Sequence, residues 1–213
     1  MFIMVFTLTN LIKTFGLHWA YIKMLRELNI SHMREPNFPE AISENIIKFF
    51  LIKHKKHTVT WECTKGDLLS DEEGKIECKC FTSKGPISFT PSSDWNVIYF
   101  LDARNWFEHK FIIYRLGWSM KSSEWQNLEI NKNKEPKTFG GQIKTGRRPR
   151  ICWNDLHPQI SSSCEKVFEG NFQGIYQLHE PQLEPKLHSP PTCTDDNQQS
   201  SVEVCNSEET PEN

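Results

Sequence analysis

The run "NVIYFLDA", residues 96–103, decides the fold class, because it is apolar at every position from Val97 to Leu101. A strand with one face in water alternates apolar and polar residues, whereas a strand buried on both faces is continuously apolar. Residues 96–103 are therefore predicted to form a central strand of a sheet that is covered on both faces.

Segments on both sides of this run supply further strands and two helices. "KIECKCF", residues 75–81, and "HKFIIYRL", residues 109–116, have the alternation and the β-branched and aromatic content typical of strands. "HTVTWEC", residues 57–63, is a third candidate strand. Apolar residues at helical spacing predict two helices before these strands. They are Leu11, Phe15, Trp19, Ile22 and Leu25 in the first helix, and Ile42, Ile46, Phe49 and Phe50 in the second.

The order of these elements predicts an α/β fold with a mixed β-sheet flanked by helices. Residues 131–150, "NKNKEPKTFGGQIKTGRRPR", are polar, basic and rich in Gly and Pro, and are predicted to be a long loop. The C-terminal segment is dominated by Pro, Ser, Gln and acidic residues, which is typical of disorder. The predicted organisation is an N-terminal helical segment, 1–33, a main domain, 34–178, and a disordered acidic tail, 179–213.

The net charge of −2 is unevenly distributed along the chain. The tail carries eight acids and one lysine, so the remainder is mildly basic, which permits binding to nucleic acid. The seven cysteines show no disulfide framework, which indicates an intracellular, cytoplasmic location. The apolar start, "MFIMVFTLTNLI", is too short to cross a bilayer and lacks the features of a signal peptide. It is interpreted as a buried first helix or a misplaced start codon, with no membrane association.

Two acids and a lysine stand around a predicted hairpin. Asp67 precedes Glu77 by ten residues, and a hairpin that turns at Gly74 would bring the two carboxylates side by side. On a strand, residues i and i+2 share a face, so Glu77 and Lys79 point the same way. The residues that point into the core instead are Ile76, Cys78 and Cys80.

This constellation suits metal-dependent phosphodiester hydrolysis. Two neighbouring carboxylates repel each other unless a cation lies between them. Mg²⁺ prefers oxygen ligands, which here are Asp67, Glu77 and the backbone carbonyl of Cys78. Lys79, beside a metal-bound water, would position or deprotonate that water and offset charge on a phosphate. The alternative interpretation is a charged outer face of an edge strand.

An Asp, a spacer and Glu-x-Lys on a strand make this segment similar to the PD-(D/E)xK nuclease superfamily, although Gly66 stands where the motif has Pro. Three further stretches are "REPNFPEAISENI", "GPISFTPSSDWNVIYFLDA" and "QIKTGRRPR". Together they resemble one family of that superfamily, the type II restriction endonucleases whose sites contain paired GC steps (GC-N-GC). The resemblance covers residues 34–153 in patches and leaves out the first 30 residues and the tail.

The resemblance implies a restriction-endonuclease-like sheet with the active site at one edge, facing a DNA cleft. It implies sequence-specific, Mg²⁺-dependent cleavage of double-stranded DNA to 5′-phosphates by a homodimer, with residues 34–178 as the nuclease domain. Its catalytic residues would be Asp67, Glu77 and Lys79. The alternatives are a nicking enzyme, a repair endonuclease or a junction resolvase of the same fold, or a non-catalytic DNA-binding module.

Three further sets of residues are candidates for DNA or metal contact. Arginine reads guanine or binds phosphate, which makes the basic cluster of the long loop a candidate DNA contact, the alternative being a solvated loop. A rigid loop after the catalytic strand either touches the DNA backbone or merely connects strands. A helical glutamate either approaches the metal or is exposed. The basic cluster consists of Lys144, Arg147, Arg148 and Arg150. The rigid loop contains Lys84 and Ser88, and the helical glutamate is Glu44.

Other chemistries find less support in the sequence. Asp102, near Arg104, is interpreted as an ion pair or cap rather than a metal ligand. The His and Cys residues do not form the two spaced pairs of a structural zinc site. The sequence contains no Gly-rich phosphate loop, nucleophile elbow or dinucleotide fingerprint, which excludes the enzyme classes that depend on them.

Overall fold

The structure is a computed structural model, and it describes residues 6–28, 36–61, 67–130 and 135–177. The chain divides into two units, Met1–His179 and Glu180–Asn213, and every described residue belongs to the first. The predicted tail, 179–213, lies outside the described residues. No helix in the described ranges has the length and apolar character needed to cross a membrane.

Two helices precede a run of five strands, and strands and short helices follow in mixed order. The strands are β1 (Val59–Trp61), β2 (Leu68–Ser70), β3 (Gly74–Phe81), β4 (Pro86–Ser88), β5 (Val97–Asp102), β6 (Lys110–Leu116), β7 (Arg150–Cys152) and β8 (Cys164–Asn171). The helices are α1 (Leu8–Glu27), α2 (Glu40–Phe50), α3 (Ser123–Gln126), α4 (Phe139–Lys144), α5 (Trp153–Ile160) and α6 (Phe172–Tyr176). A π-helical turn, Leu51–Lys55, extends α2, and a 3₁₀ turn, Trp106–Glu108, precedes β6.

Six strands form one mixed sheet in the order β1-β2-β3-β5-β6-β8. β3 and β5 are parallel, and all other neighbours in this sheet are antiparallel. β4 and β7 form a separate antiparallel ribbon. The predicted mixed sheet is therefore confirmed, with β8 as a strand that the sequence patterns had not singled out.

β5 is the predicted central strand, and it is buried at every position. Val97, Tyr99 and Leu101 belong to one apolar core, while Ile98 and Phe100 belong to the other. This alternation is the two-residue period of a strand with a core on each face. The prediction from residues 96–103 is confirmed.

Helices cover both faces of the sheet. α1, α2 and α6 contribute to the core that holds Val97, and the four predicted apolar residues of α2 are all buried there. α3, α4 and α5, with the β4–β7 ribbon, contribute to the core that holds Ile98. Because each face has its own layer of helices, the sheet can be apolar on both sides in its centre.

The hairpin between β2 and β3 turns where the sequence predicted, at Gly74. This glycine has φ +72°, and a Cβ atom there would lie 2.5 Å from Oδ1 of Asn96. Glycine is the residue that adopts this conformation without steric cost. The turn is also anchored by Glu73, which accepts hydrogen bonds from the Tyr99 hydroxyl (2.7 Å) and from Nε of Arg115 (2.6 Å). The turn therefore sets the register that pairs Leu68 with Ile76.

The prediction that residues 131–150 form a loop is wrong in part, because this segment contains α4. The Thr138 hydroxyl caps this helix by accepting a hydrogen bond from the Gly141 amide, and Phe139 is buried. Gly140 allows close packing on α3, since a Cβ atom there would lie 3.1 Å from the backbone carbonyl oxygen of Gln126. Composition alone indicated a loop, whereas packing and a cap stabilise a short helix.

Candidate active site

A cleft of about 610 Å³ opens beside β3, and it contains all three residues predicted to be catalytic. Asp67 stands immediately before β2, and Glu77 and Lys79 lie on β3. The walls come from the start of α2, from the turn after β3 and from β4. The hairpin and the second helix thus converge on one groove, as the sequence predicted for Asp67, Glu77 and Lys79.

Asp67 is held by two backbone contacts to β3. Its amide donates to the Ile76 carbonyl at 3.1 Å, and its Oδ2 accepts a hydrogen bond from the Cys78 amide at 2.7 Å. The amide and the carbonyl of one strand residue point to the same side of the strand. The Cys78 carbonyl is therefore directed toward the side of β3 where Asp67 lies.

Glu77 and Lys79 form an ion pair on β3, with Nζ of Lys79 2.5 Å from Oε1 of Glu77. Glu77 is 2% exposed, and the Lys79 ammonium lies 5.9 Å from the centre of the Phe89 ring. β3 runs between β2 and β5, so it is not an edge strand. The alternative interpretation, a charged outer face of an edge strand, is therefore wrong.

Burial perturbs the pKa values of these groups. Burial raises the pKa of Asp67 above its ordinary value, against the opposing charge of Lys79 and the hydrogen bond from Cys78. Burial likewise raises the pKa of Glu77, and the charge of Asp67 adds to the shift while that of Lys79 opposes it. Burial alone would lower the pKa of Lys79, but the charge of Glu77 and its hydrogen bond raise it, so the ammonium stays protonated. Perturbed groups in a cleft are typical of functional sites.

Glu44 lines the same cleft from α2, so it does not face open solvent. Burial raises its pKa from 4.5 to about 7, and the charges of Asp67 and Glu40 contribute in the same direction. Glu40, with Asn37 and Ser43, also lines the cleft. These three residues were not predicted from the sequence. The four-residue spacing of Glu40 and Glu44, which places them on one side of a helix, was the available signal.

The DNA-contact candidates divide between the cleft wall and its surroundings. Ser88 lines the cleft, and its strand partner in the β4–β7 ribbon is Arg150. Arg147 and Arg148 are exposed and follow Gly146, which has φ +70°. The Pro149 carbonyl accepts a hydrogen bond from the Phe89 amide at 2.9 Å, which ties this turn to the strand beside the cleft. The remaining candidates, Lys144 at the end of α4 and Lys84 in the turn before β4, are exposed.

Within the described ranges, no group of three or more His, Cys, Asp or Glu side chains is arranged as a metal site. The donor set nevertheless fits a hard divalent cation, because it consists of carboxylates and a backbone carbonyl. The charge of Asp67 raises the pKa of Glu77, and a cation between the two carboxylates would relieve that repulsion. Asp102 is not part of this site, since it forms the predicted ion pair with Arg104 at 2.6 Å.

A mixed sheet with these residues on a hairpin beside a cleft defines a restriction-endonuclease-like α/β fold. Comparison with known proteins gives the family. The model of the Bsp6I restriction endonuclease family matches residues 8–156, and the chain belongs to this family. It is accordingly a type II restriction endonuclease, a site-specific deoxyribonuclease. The match begins at residue 8, so it includes α1, which lay outside the resemblance in the sequence.

One relative is the protein named type II restriction enzyme Bsp6I of Bacillus sp. (strain RFL6). The two proteins are 31% identical over 150 residues, which is 62% of this chain and 78% of the relative. No solved structure matches this chain. The region matched by the family model, residues 8–156, contains the whole β2–β3 hairpin and the basic cluster up to β7.

The raised pKa of Glu44 predicts how stability depends on pH without metal. The folded protein holds this proton more tightly than the unfolded chain, so stability falls as pH rises from about 4.5 to about 7. Because solvent screens this partly exposed group, Glu44→Gln should stabilise the protein by roughly 1–2 kcal/mol at pH 8 and far less at pH 4.5. Urea unfolding in EDTA at both pH values measures the difference.

The exposed Glu165 supplies the control for this experiment. Glu165→Gln should change the free energy of unfolding little, and equally at both pH values. If Glu44→Gln destabilises the protein at pH 8, ionised Glu44 is not the unfavourable group that its surroundings indicate.

Proposed function

We propose that the protein is a Mg²⁺-dependent endonuclease that cuts both strands of double-stranded DNA at a short GC-containing site and leaves 5′-phosphates. The observation that carries this proposal is one cleft lined by Asp67, the Glu77–Lys79 ion pair and Cys78, whose amide donates to Asp67, in a member of a restriction endonuclease family. These are the oxygen ligands and the cation that phosphodiester hydrolysis requires.

Asp67, Glu77 and the Cys78 carbonyl would hold the metal, with Glu44 as a further carboxylate within reach. The bound Mg²⁺ supplies a Lewis acid and a water of lowered pKa. Asp67 is prepared for this role because the Cys78 amide fixes its carboxylate. Lys79 is protonated in its ion pair with Glu77, which favours hydrogen-bond donation and stabilisation of negative charge on the phosphate over removal of a proton from water.

Lys79→Ala should bind DNA but cut it at least roughly a hundredfold more slowly, on the scale of general acid–base and electrostatic contributions. Asp67→Asn should abolish cutting and also remove the rise in melting temperature that Mg²⁺ or Ca²⁺ produces. Plasmid digestion with Mg²⁺ measures the first effect, and thermal melting with and without each ion measures the second.

The pattern of products tests the remaining alternatives. Discrete fragments with Mg²⁺ support the proposal, and sequencing of their ends gives the site and the 5′-phosphates. Single nicks or random fragments would indicate a nicking or repair enzyme of the same fold. Bound but uncut DNA with wild-type protein and Mg²⁺ would indicate a non-catalytic DNA-binding module.

DNA recognition is assigned to the exposed cluster Lys144, Arg147, Arg148 and Arg150, with Lys84 and Ser88 as contacts to the DNA backbone. The contacts of Pro149 and Ser88 support this, because they connect the cluster to the wall of the cleft. An arginine offers two parallel donors that match O6 and N7 of guanine.

Replacement of Arg148 by Ala should weaken binding to the cognate site, or relax specificity there, by ~1–3 kcal/mol if this arginine reads a guanine. Fluorescence anisotropy with cognate and single-substituted duplexes measures both quantities in the Lys79→Ala background. If affinity and specificity are both retained, Arg148 does not contact the bases.

A homodimer would place two active sites on the two strands of a symmetric site. The outer face of α1 supports this assignment. It exposes a row of apolar side chains at spacings of four, three and four residues, which are Leu17, Tyr21, Met24 and Leu28. In an antiparallel pair of α1 helices, Leu17 of each copy would lie opposite Leu28 of the other and Tyr21 opposite Met24, so the row is self-complementary.

Tyr21→Glu should shift the protein to a monomer, because it puts a charge into the apolar row. Leu69→Glu is the matched control, since Leu69 is similarly exposed but lies on β2. Sedimentation equilibrium measures both. A Tyr21→Glu protein that remains dimeric would rule out this surface.

An intracellular location is part of the same proposal. Its support is that the cysteines Cys78, Cys80, Cys152 and Cys164 are free thiols in the structure. Disulfide formation is expected in oxidising compartments and not in the cytosol. Fractionation of cells that produce the protein, followed by immunoblotting, would contradict the proposal if the protein were found outside the cytosol.

A further inference from the structure

A second cavity, of about 580 Å³, lies at the carboxyl end of β5. Two of its lining residues are cationic, Arg104 and Lys110, and both are exposed. Its acidic residues, Asp102 and Glu169, are each paired with a cation, Asp102 with Arg104 and Glu169 with Lys166. Lys110 is thus the charge left unbalanced within the described part of the chain, and the cavity favours an anion.

Arg104 is held in one orientation by a buried carboxylate. Its Nε donates to Oδ1 of Asp102 at 2.9 Å, and its Nη2 donates to Oδ2 at 2.6 Å. Asp102 is 5% exposed, whereas the Arg104 side chain is 38% exposed. The Arg104 amide also donates to Asp102 at 3.1 Å, so the carboxylate fixes both the backbone and the side chain.

This arrangement leaves one edge of the guanidinium available. Asp102 occupies the Nε–Nη2 edge, and no described residue forms a hydrogen bond with Nη1. The Nη1–Nη2 edge carries two parallel N–H groups, which match two oxygens of a phosphate. A guanidinium that is already oriented also loses less side-chain entropy on binding.

Arg104 adjoins the catalytic cleft through Phe81. The guanidinium carbon of Arg104 lies 5.5 Å from the centre of the Phe81 ring, and Phe81 lines the cleft. Phe81 and Asp102 are partners on the parallel strands β3 and β5. Phe81 follows Lys79 by two residues, which is roughly 7 Å along a strand. Since duplex DNA rises by about 3.4 Å per nucleotide of one strand, Arg104 lies within a span of a few nucleotides from Lys79.

We propose that Arg104, oriented by Asp102, binds together with Lys110 a backbone phosphate of the DNA within a few nucleotides of the scissile bond. This assignment rests on the nuclease function proposed above. Asp102 acts as a positioning residue, and neither cation carries sequence information, because a phosphate is the same beside every base.

The test is the salt dependence of DNA binding, measured by fluorescence anisotropy in the Lys79→Ala background. Asp102→Asn/Arg104→Gln removes the cation without leaving a buried carboxylate unpaired, which would itself destabilise the fold. The slope of log affinity against log salt should become shallower by about one, with cognate and unrelated duplexes weakened equally. Lys110→Gln, a single exposed substitution, should also make the slope shallower.

Lys75→Gln/Asp94→Asn is the matched control, because this pair also joins a cation to a carboxylate, has a similar exposure of its cation and lies on neither cavity. Its slope should equal that of the parent. If Lys110→Gln and the folded Asp102→Asn/Arg104→Gln protein both keep the parental slope, the phosphate assignment is overturned while the nuclease function stands. If the parent itself binds no duplex, the proposed function fails, and the phosphate site fails with it.

Discussion

The register of the β2–β3 hairpin is the constraint on which the active site depends. It pairs Leu68 with Ile76, so that the preceding residue, Asp67, lies beside Glu77. The Asp67 carboxylate then accepts a hydrogen bond from the Cys78 amide. A slip of one residue would turn every side chain of the strand to the other face. Gly74, with its positive φ, and Glu73, anchored to Tyr99 and Arg115, hold this register at the turn.

The same geometry concentrates charge where solvent is scarce. Asp67, Glu77, Glu44 and Lys79 share one cleft, and the folded state raises the pKa of each of the three acids. Clusters of charged residues like this one lower the stability of the folded protein, because desolvation makes the ionised form of a buried carboxyl less favourable. In the proposed nuclease, a divalent cation would offset this cost, since it interacts more strongly with carboxylates that are poorly solvated. The charges that would serve the proposed function therefore lower the stability of the protein without metal.

Sequence patterns predicted the elements whose residues interact locally. Alternation with a period of two predicted β3 and β6, and apolar residues at a period of 3.6 predicted α1 and α2, because burial on one face imposes these periods. β5 was predicted from its continuous apolar run, because it is buried on both faces. α4 was missed, since its two glycines and basic surroundings resemble a loop. Its stability comes from the packing of Phe139 and Gly140 on other elements. Glu40, Asn37 and Ser43 were missed for the same reason, because only packing brings the start of α2 to the cleft.

The sequence by itself determined the central strand at residues 96–103, the hairpin at Gly74 and the Asp67, Glu77 and Lys79 set, since each depends on chemistry within a short span of chain. Only the tertiary structure decided that β3 is an inner strand and that Glu77 is buried. The tertiary structure also placed the Arg104 guanidinium over the Phe81 ring beside the cleft. The physical reason is that strand order and helix docking come from contacts between distant segments, whose pairing leaves no periodic trace in the residues themselves.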